Sequence, residues 1–509
     1  MTRTTWLLAA GLMLASVAFG APSFSAASPP AVHEVYTVPS SGEFTVAGRG
    51  FGHGHGLSQW GAYGAAKVAG LSSNQILHFY YPHTTLDTKP VTQAVRVLLT
   101  ALAAPSKGYV EFDPAAGLAV TPGPTATAGD DKAQVLPATA TGGATIDHWR
   151  LRKQSQTVAL QAHWSGAWHV QTADVGSGAT ISDPAALVAL VEPNGKATKT
   201  VRYRGQIVAE LVAGSMEAVD DVLVESYVDS VVPSEMSSSW PAAALQAQAV
   251  AARTYTYRAI GSPKASWYDL DGDTRDQAYG GFGSETQKTD DAVHATAGEI
   301  AVDSTDAPIF AQYSAADGGW TVSGAQPYLP AKRDPYDGAV PNNAHLWSVT
   351  LTATAIAAAY PSVGTLSQLV ITGRDGHGAW GGRVTSMSIV GDKGSTTVTG
   401  AAFQSAFGLR STWFRPTPLP AAPSALTATA TGHSVALTWK APRSVAGAAA
   451  VSGYKVSLVP GGHKATVAAS VLTESFSGLS PGSYTAKVVA KSAVGSGPAA
   501  SVPVTVKLL

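Results

Sequence analysis

The chain contains no cysteine in 509 residues, which excludes a disulfide framework, a thiol nucleophile and any thiolate-held metal. Charge is scarce as well: acidic and basic residues together make up 13% and nearly cancel, for a formal net charge of -1. A chain so balanced exerts no bulk attraction on polyanions, and no nucleic-acid partner is expected. Long apolar runs are missing too. The longest, Trp6 to Phe19 behind the basic Arg3, falls short of the roughly 20 residues that a membrane span needs. It reads as the core of a signal peptide over residues 1–26, with small-residue cleavage points near Gly20 and near Ala26 both open. The expected product is secreted and extracellular, with no transmembrane or lipid anchor.

At this length one hydrophobic core cannot serve the whole chain, so two or more domains are expected. The stretch from Tyr227 to Arg258, YVDSVVPSEMSSSWPAAALQAQAVAARTYTYR, organises the rest. Tyr227, Val228, Val231 and Val232 favour a strand, and Pro233 closes it because proline brings no donor to a sheet ladder. That puts Glu235 in a turn. Ser239 then serves as N-cap, Pro241 falls in the first helical turn, and an alanine-rich helix runs to about Arg258 with Leu245, Ala249, Ala252 and Tyr255 on one apolar face. The small alanines predict a buried helix. A glutamate near a helix start is ordinarily a capping residue; held in a loop between rigid elements, it is also a candidate catalytic group.

Upstream, GRGFGHGHGLSQWGAYGAA from Gly48 to Ala66 sets glycines around His53 and His55, ahead of a short helical pattern at Ser58 to Val68. Two histidines in H-x-H spacing share a strand face but leave the third and fourth metal ligands unsupplied, so neither metal nor cofactor is expected. Asp269 to Gln277, DLDGDTRDQ, resembles half a calcium loop that lacks the glycine at its sixth position and the glutamate at its twelfth, where Gly280 stands. Over about 90–225, AVRVLL, TVALQAHW, LVALVEP, VRYRGQIVAEL and DDVLVES read as strands of a β-rich subdomain, interrupted by a long surface loop over 117–143.

VVPSEM, SSWP and ALQAQAVAARTY, with DTRDQAYGG, AVHATAGEI, SAADGGWT, PYLPAKRDPYD and GAAFQSAFGLRSTWF, resemble the signature blocks of the SpoIID/LytB family of bacterial cell-wall proteins, over residues 42–415. In many members the GHG-SQ-GA block follows the catalytic glutamate; here it precedes Glu235. The domain therefore looks circularly permuted, which requires Gly48–Ala66 to return in space to the Gly400–Phe414 end and to the groove of Glu235. The resemblance implies an α+β fold, a β-rich SpoIID-like core with a central catalytic helix. It implies a wall-associated lytic transglycosylase that cleaves the glycan strands of peptidoglycan, with Glu235 as general acid and base. Implied substrate contacts are Arg253, Tyr255, Thr274, Gln277, Tyr279, Ser314, Gly318 and Gly319, and from the upstream block His53, Ser58 and Gln59. Arg253 has buttressing of the site as its alternative.

A Pro/Ala-rich linker over 416–423, expected to be extended and semi-rigid, leads to residues 424–509. About seven short strands there, with Trp439, Tyr454, Leu479 and Tyr484, resemble a fibronectin type III sandwich. Two rival functions stay open: a non-catalytic glycan-binding modifier of a cell-wall amidase, and a wall adhesion protein.

Overall fold

Three separate sets of buried apolar side chains divide the chain. The computed structural model describes residues 32–39, 41–102, 108–123, 132–417, 420–443, 450–492 and 495–507, so the signal-peptide expectation lies outside the described residues. The architecture is β-rich, with helices gathered around the first core.

That first core packs two sheets and a helical layer. The seven-stranded sheet has the order 270–271, 94–98, 215–223, 206–212, 178–182, 119–122, 134–135; the six-stranded one has 167–172, 157–164, 148–154, 109–112, 187–194, 197–204. Period-two patterning sets the faces: Val110 and Phe112 are buried between the half-buried Tyr109 and Glu111. VRYRGQIVAEL, read above as one strand, is two, because Gly205 at φ +85° turns the chain between Ala197–Arg204 and Gln206–Val212. The loop expected over 117–143 contains the paired strands Ala119–Pro122 and Gln134–Val135, while residues 124–131 lie outside the described set.

Five helices belong to this body: α1 (Gln59–Lys67), α2 (Ser73–Tyr80), α3 (Val224–Glu235), α4 (Ala242–Gly261) and α5 (Gln287–His294). Helix α4 is the expected alanine-rich helix, and its small side chains let α1, α2, α3 and α5 all pack against it. The expected strand before Glu235 is in fact α3. Tyr227, Val228, Val231 and Val232 are all buried, a spacing that lies on one helical stripe but would straddle both faces of a strand. Their β propensity yields to that packing, and Pro233 sits in the last turn, two residues before the helix stops. Ser239 is not the N-cap of α4. Pro241 holds that position with no side-chain cap, and the Ser239 hydroxyl pairs with that of Ser237 instead.

The second core lies beneath a four-stranded sheet, 34–37, 366–374, 384–391, 394–399, and a three-stranded one, 346–352, 43–49, 414–417. Gly48 pairs with Phe414, so the upstream block does return to the 400–414 end. Hydrogen bonding extends past both expected boundaries. Strand Glu34–Thr37 pairs with Leu366–Arg374, and the buried Arg374 grips Glu34 through two bonds of 2.7 and 2.9 Å. At the other end Pro416 and Thr417, assigned to the linker, pair with Val46 and Thr45. With Pro420 and Pro423 buried as well, the described residues of the segment are packed against protein and do not form a free extended spacer. The third core closes the sandwich between sheets of three and four strands, with Trp439, Tyr454 and Leu479 buried and Tyr484 packed at its margin.

Candidate active site

Helix α3 ends at Glu235 and the chain turns into α4 within six residues, so the carboxyl stands at a junction of two helices rooted in the first core. Glu235 is half-buried. Its Oε1 accepts from the Ala278 backbone N–H at 2.8 Å and its Oε2 from the Gln59 amide at 3.0 Å. Burial disfavours the anion and outweighs these two bonds, which favour it, so the carboxyl is held above the ordinary glutamate range. Trp240 supports the junction from behind, packed against Trp60 and Tyr63 with ring centroids 4.8 and 4.9 Å away.

Glu235 opens into a cleft of about 310 Å³ lined by His53, Tyr255, Thr274, Arg275, Asp276, Phe310, Gln312 and Tyr313. The glycine-rich block is stitched to the far wall: Leu57–Ser58 pairs in parallel with Tyr313–Ser314, and the Gly54 N–H donates to Ser314 Oγ at 3.2 Å. Gly56 has no alternative at its position, since with φ +65° a β-carbon would lie 2.1 Å from the Gln312 carbonyl oxygen. This stitching delivers His53 to the cleft. Desolvation, then His55 and Arg383, push its imidazole down to about 4, although the residue keeps solvent contact. At neutral pH the ring is therefore uncharged. The second cleft carboxylate, Asp276, is already engaged: Oδ1 accepts from Tyr255 at 2.7 Å, and Oδ2 from the Asp271 N–H at 2.7 Å and Lys264 at 2.5 Å.

Of the residues expected at the site, Glu235, His53, Tyr255 and Thr274 meet in the cleft, and Gln59 reaches Glu235 directly. Others lie elsewhere. Arg253 is fully buried in α4, paired with Glu225 through bonds of 2.8 and 2.8 Å and donating to the Val293 and Glu299 carbonyls. No donor of it faces the cleft, and its bonds tie α3, α4 and α5 together. Ser58 is fully buried as the N-cap of α1. Tyr279 is buried with its hydroxyl on Asp220 at 2.7 Å. Gly318 and Gly319 donate to Asp337 and Asp317 in a buried acidic turn, and Ser314 supports Gly54. Gln277 is fully buried just behind the cleft wall.

The half calcium loop is closed by cations, with Asp269 on Arg96, Asp271 and Asp276 on Lys264, and Asp273 on Arg275. His53 and His55 stack with centroids 5.2 Å apart, and among the described residues no group of three or more His, Asp or Glu is placed to hold a metal ion. Sequence reasoning missed Tyr313, Phe310, Gln312, Arg275 and Asp276. Three of these sat within reach: Arg275 and Asp276 lie inside the DTRDQAYGG block, and Tyr313 immediately precedes SAADGGWT.

Residues 212–302 match the family model of stage II sporulation protein SpoIID, and residues 421–507 that of the fibronectin type III domain. The chain thus carries a SpoIID segment and a fibronectin type III domain. It is 36% identical over 127 residues to the amidase enhancer of Bacillus subtilis, covering 24% of this chain and 16% of that protein. It is 30% identical over 160 residues to stage II sporulation protein D of Bacillus subtilis, covering 27% of this chain and 45% of that protein. An uncharacterised protein of Brachyspira hyodysenteriae is 38% identical over 103 residues, covering 20% of this chain and 28% of its own length. The chain therefore spans less than half of each of these relatives. The SpoIID match includes Glu235, Thr274 and Asp276, while His53, Gln59 and Tyr313 reach the cleft from outside it.

Proposed function

We propose that residues 34–417 form an α+β SpoIID-type core that cleaves the glycan strands of peptidoglycan as a lytic transglycosylase, with residues 424–507 as an appended sandwich domain. The observation that carries this reading is one cleft carboxyl, Glu235, with its pKa raised by burial, beside a second carboxylate, Asp276, already bound to Tyr255 and Lys264. Hydrolysis at a glycosidic bond ordinarily uses two free carboxyl groups. A transglycosylase needs one. In the first step protonated Glu235 gives its proton to the glycosidic oxygen between muramic acid and glucosamine as the C–O bond breaks. The Ala278 N–H and the Gln59 amide then stabilise the carboxylate so formed. In the second step that carboxylate accepts the proton of the muramic acid C6 hydroxyl as its oxygen bonds to the anomeric carbon, and no water is consumed.

The reading places the protein outside the cytoplasmic membrane, at the wall, following the signal-peptide pattern of residues 1–26. Among the described residues no helix is long and apolar enough to cross a membrane. One observation favours a second reading: the likeness to an amidase enhancer suits a non-catalytic partner that holds glycan for a cell-wall amidase. Incubating the full chain with purified glycan strands and looking for 1,6-anhydromuramic ends by mass spectrometry separates the two. Anhydro ends that vanish in Glu235→Gln support cleavage. Tight glycan binding with no new ends, and faster release of peptides by an added amidase, would establish the modifier.

A further inference from the structure

The amide of Gln277 is fully buried and makes every bond it can. Its oxygen accepts from Tyr227 at 3.2 Å and from Thr256 at 3.1 Å, while its nitrogen donates to the Ala252 carbonyl at 3.3 Å and to the Tyr313 hydroxyl oxygen at 2.9 Å. Two consequences follow at the cleft. The next residue in the chain, Ala278, is fixed with its N–H on Glu235. And Tyr313 receives a bond at its oxygen, so its own proton must point away from Gln277. Among the described residues no acceptor lies within hydrogen-bonding distance of that proton, although the ring lines the same cleft as Glu235. Buried polar hydrogens are rarely left without a partner, and this one belongs to a residue that lines a cleft. Burial also raises the phenol well above its ordinary range, so the hydrogen is retained at neutral pH.

We propose that Tyr313 is a further catalytic residue of this cleft, donating a hydrogen bond to an oxygen of the sugar held beside Glu235, with Gln277 as the residue that positions both groups. The ligand class is an N-acetylated sugar, whose acetamido carbonyl and ring hydroxyls supply uncharged acceptors to an uncharged donor; the His53 imidazole that lines the same cleft is also uncharged at neutral pH. The choice of sugar rests on the glycan-cleaving reading above. The donor itself does not.

The test is Tyr313→Phe in the full-length chain, which removes one hydroxyl and leaves the ring. Turnover of glycan strands should fall by about a hundredfold, the usual loss for one preorganised donor to a transition state, and the Kd for N-acetylglucosamine–N-acetylmuramic acid oligosaccharides should rise several-fold. Turnover equal to wild type would overturn the proposal. If the wild-type protein forms no anhydro ends at all, the cleavage reading fails by itself and binding decides: a weakened Kd in Tyr313→Phe supports the contact, and an unchanged Kd overturns it. Because the substitution strands the Gln277 amide, the assays are run at a temperature where the circular dichroism spectrum is native. Should none exist, Tyr313→Phe combined with Gln277→Met, which removes the stranded donor as well, takes its place under the same two criteria, with Gln277→Met alone as the reference instead of wild type.

Discussion

In the C-terminal sandwich Val435, Leu437, Trp439, Tyr454, Val456 and Leu479 close an apolar interior, and Ser492 is the one polar side chain buried there among the described residues. The body around Glu235 encloses Arg253, Gln277, Gln248, Asp220, Asp317 and Asp334 among its apolar side chains. Burying a polar group costs free energy unless it is hydrogen-bonded, and a charge costs more unless it is paired. The sandwich meets that cost at few places, the indole N–H of Trp439, partnerless among the described residues, being one of them. The Glu235 body accepts it, and one of its buried polar groups reaches the cleft: Gln277 bonds Tyr313 and, through the adjoining peptide, borders Glu235. Polar burial here marks the part of the molecule that must hold groups in fixed positions.

The largest test of that contrast is Arg253→Met. It leaves the Glu225 carboxylate and two carbonyls without their partner inside a helical layer. Breaking a buried pair from one side costs about 3–5 kcal/mol, so a urea melt should lose most of the margin of this body while the sandwich transition stays put. A loss below about 1 kcal/mol, the range of exposed pairs, would show that the buried arginine contributes nothing special. Next comes Glu235→Gln. It keeps the shape, cannot give up a proton, and should lower glycan cleavage at least about a hundredfold with a melting profile close to wild type. Turnover like that of the wild type would remove Glu235 from the chemistry.

The same contrast explains what could be read in advance. Sandwich strands alternate apolar and polar residues with a period of two, and their number and core markers are visible from the chain alone. The α4 helix is visible for a similar reason, as an unbroken run of good helix formers. Helix α3 is not: its valines and proline signal a strand, and only packing against α4 and α5 decides otherwise. At the site, Glu235 is found from its motif, but motif membership does not separate cleft residues from their supports. Tyr279 shares a block with Thr274, Ser58 shares one with His53 and Gln59, and Arg253 stands in the stretch after Glu235, yet each is turned inward by a partner. Tyr313 escapes because it stands in a two-residue strand, too short to leave a periodic trace.

A smaller effect is expected at Gln59, which is buried and bonded to Glu235, so its removal is not the harmless surface change that a glycan-contacting residue would allow. The amide stabilises the carboxylate and thereby lowers its pKa. In Gln59→Leu that influence is gone and Glu235 should ionise at higher pH. Since the first step needs the protonated acid, the activity lost on the alkaline side should set in later than in wild type, while the maximum rate falls by about tenfold as the product carboxylate loses one of its two donors, worth about 1.5–3 kcal/mol at most for a charged partner. A pH profile of kcat/KM reads both. An alkaline limb that stays in place, or moves down, would mean that Gln59 does not act through Glu235.

The smallest effect should come from the largest deletion, and it is where the two interiors can be separated outright. The Glu235 body ends in strand Phe414–Thr417, whose Pro416 and Thr417 pair with Val46 and Thr45, whereas Pro420 already belongs to the sandwich, its carbonyl so close to Gly497 that a β-carbon there would lie 2.0 Å from it. A chain stopped after Thr417 therefore loses one complete core and no part of the others. Its first thermal transition should match that of the full chain, and turnover of soluble glycan strands should stay within about twofold, because domains with separate cores behave as separate units. Stopping two residues earlier, after Arg415, is the sharper control. It strips the partner of Val46 and Thr45 from the strand that leads into the His53 block, and with a ladder bond worth about 0.5–1.5 kcal/mol it should lower the first transition while the Thr417 version does not. If both truncations melt alike and both keep full turnover, the strand is dispensable and the boundary lies upstream; if both lose turnover while remaining folded, the sandwich shapes the cleft, and the contrast between a working body and an inert appendage is wrong.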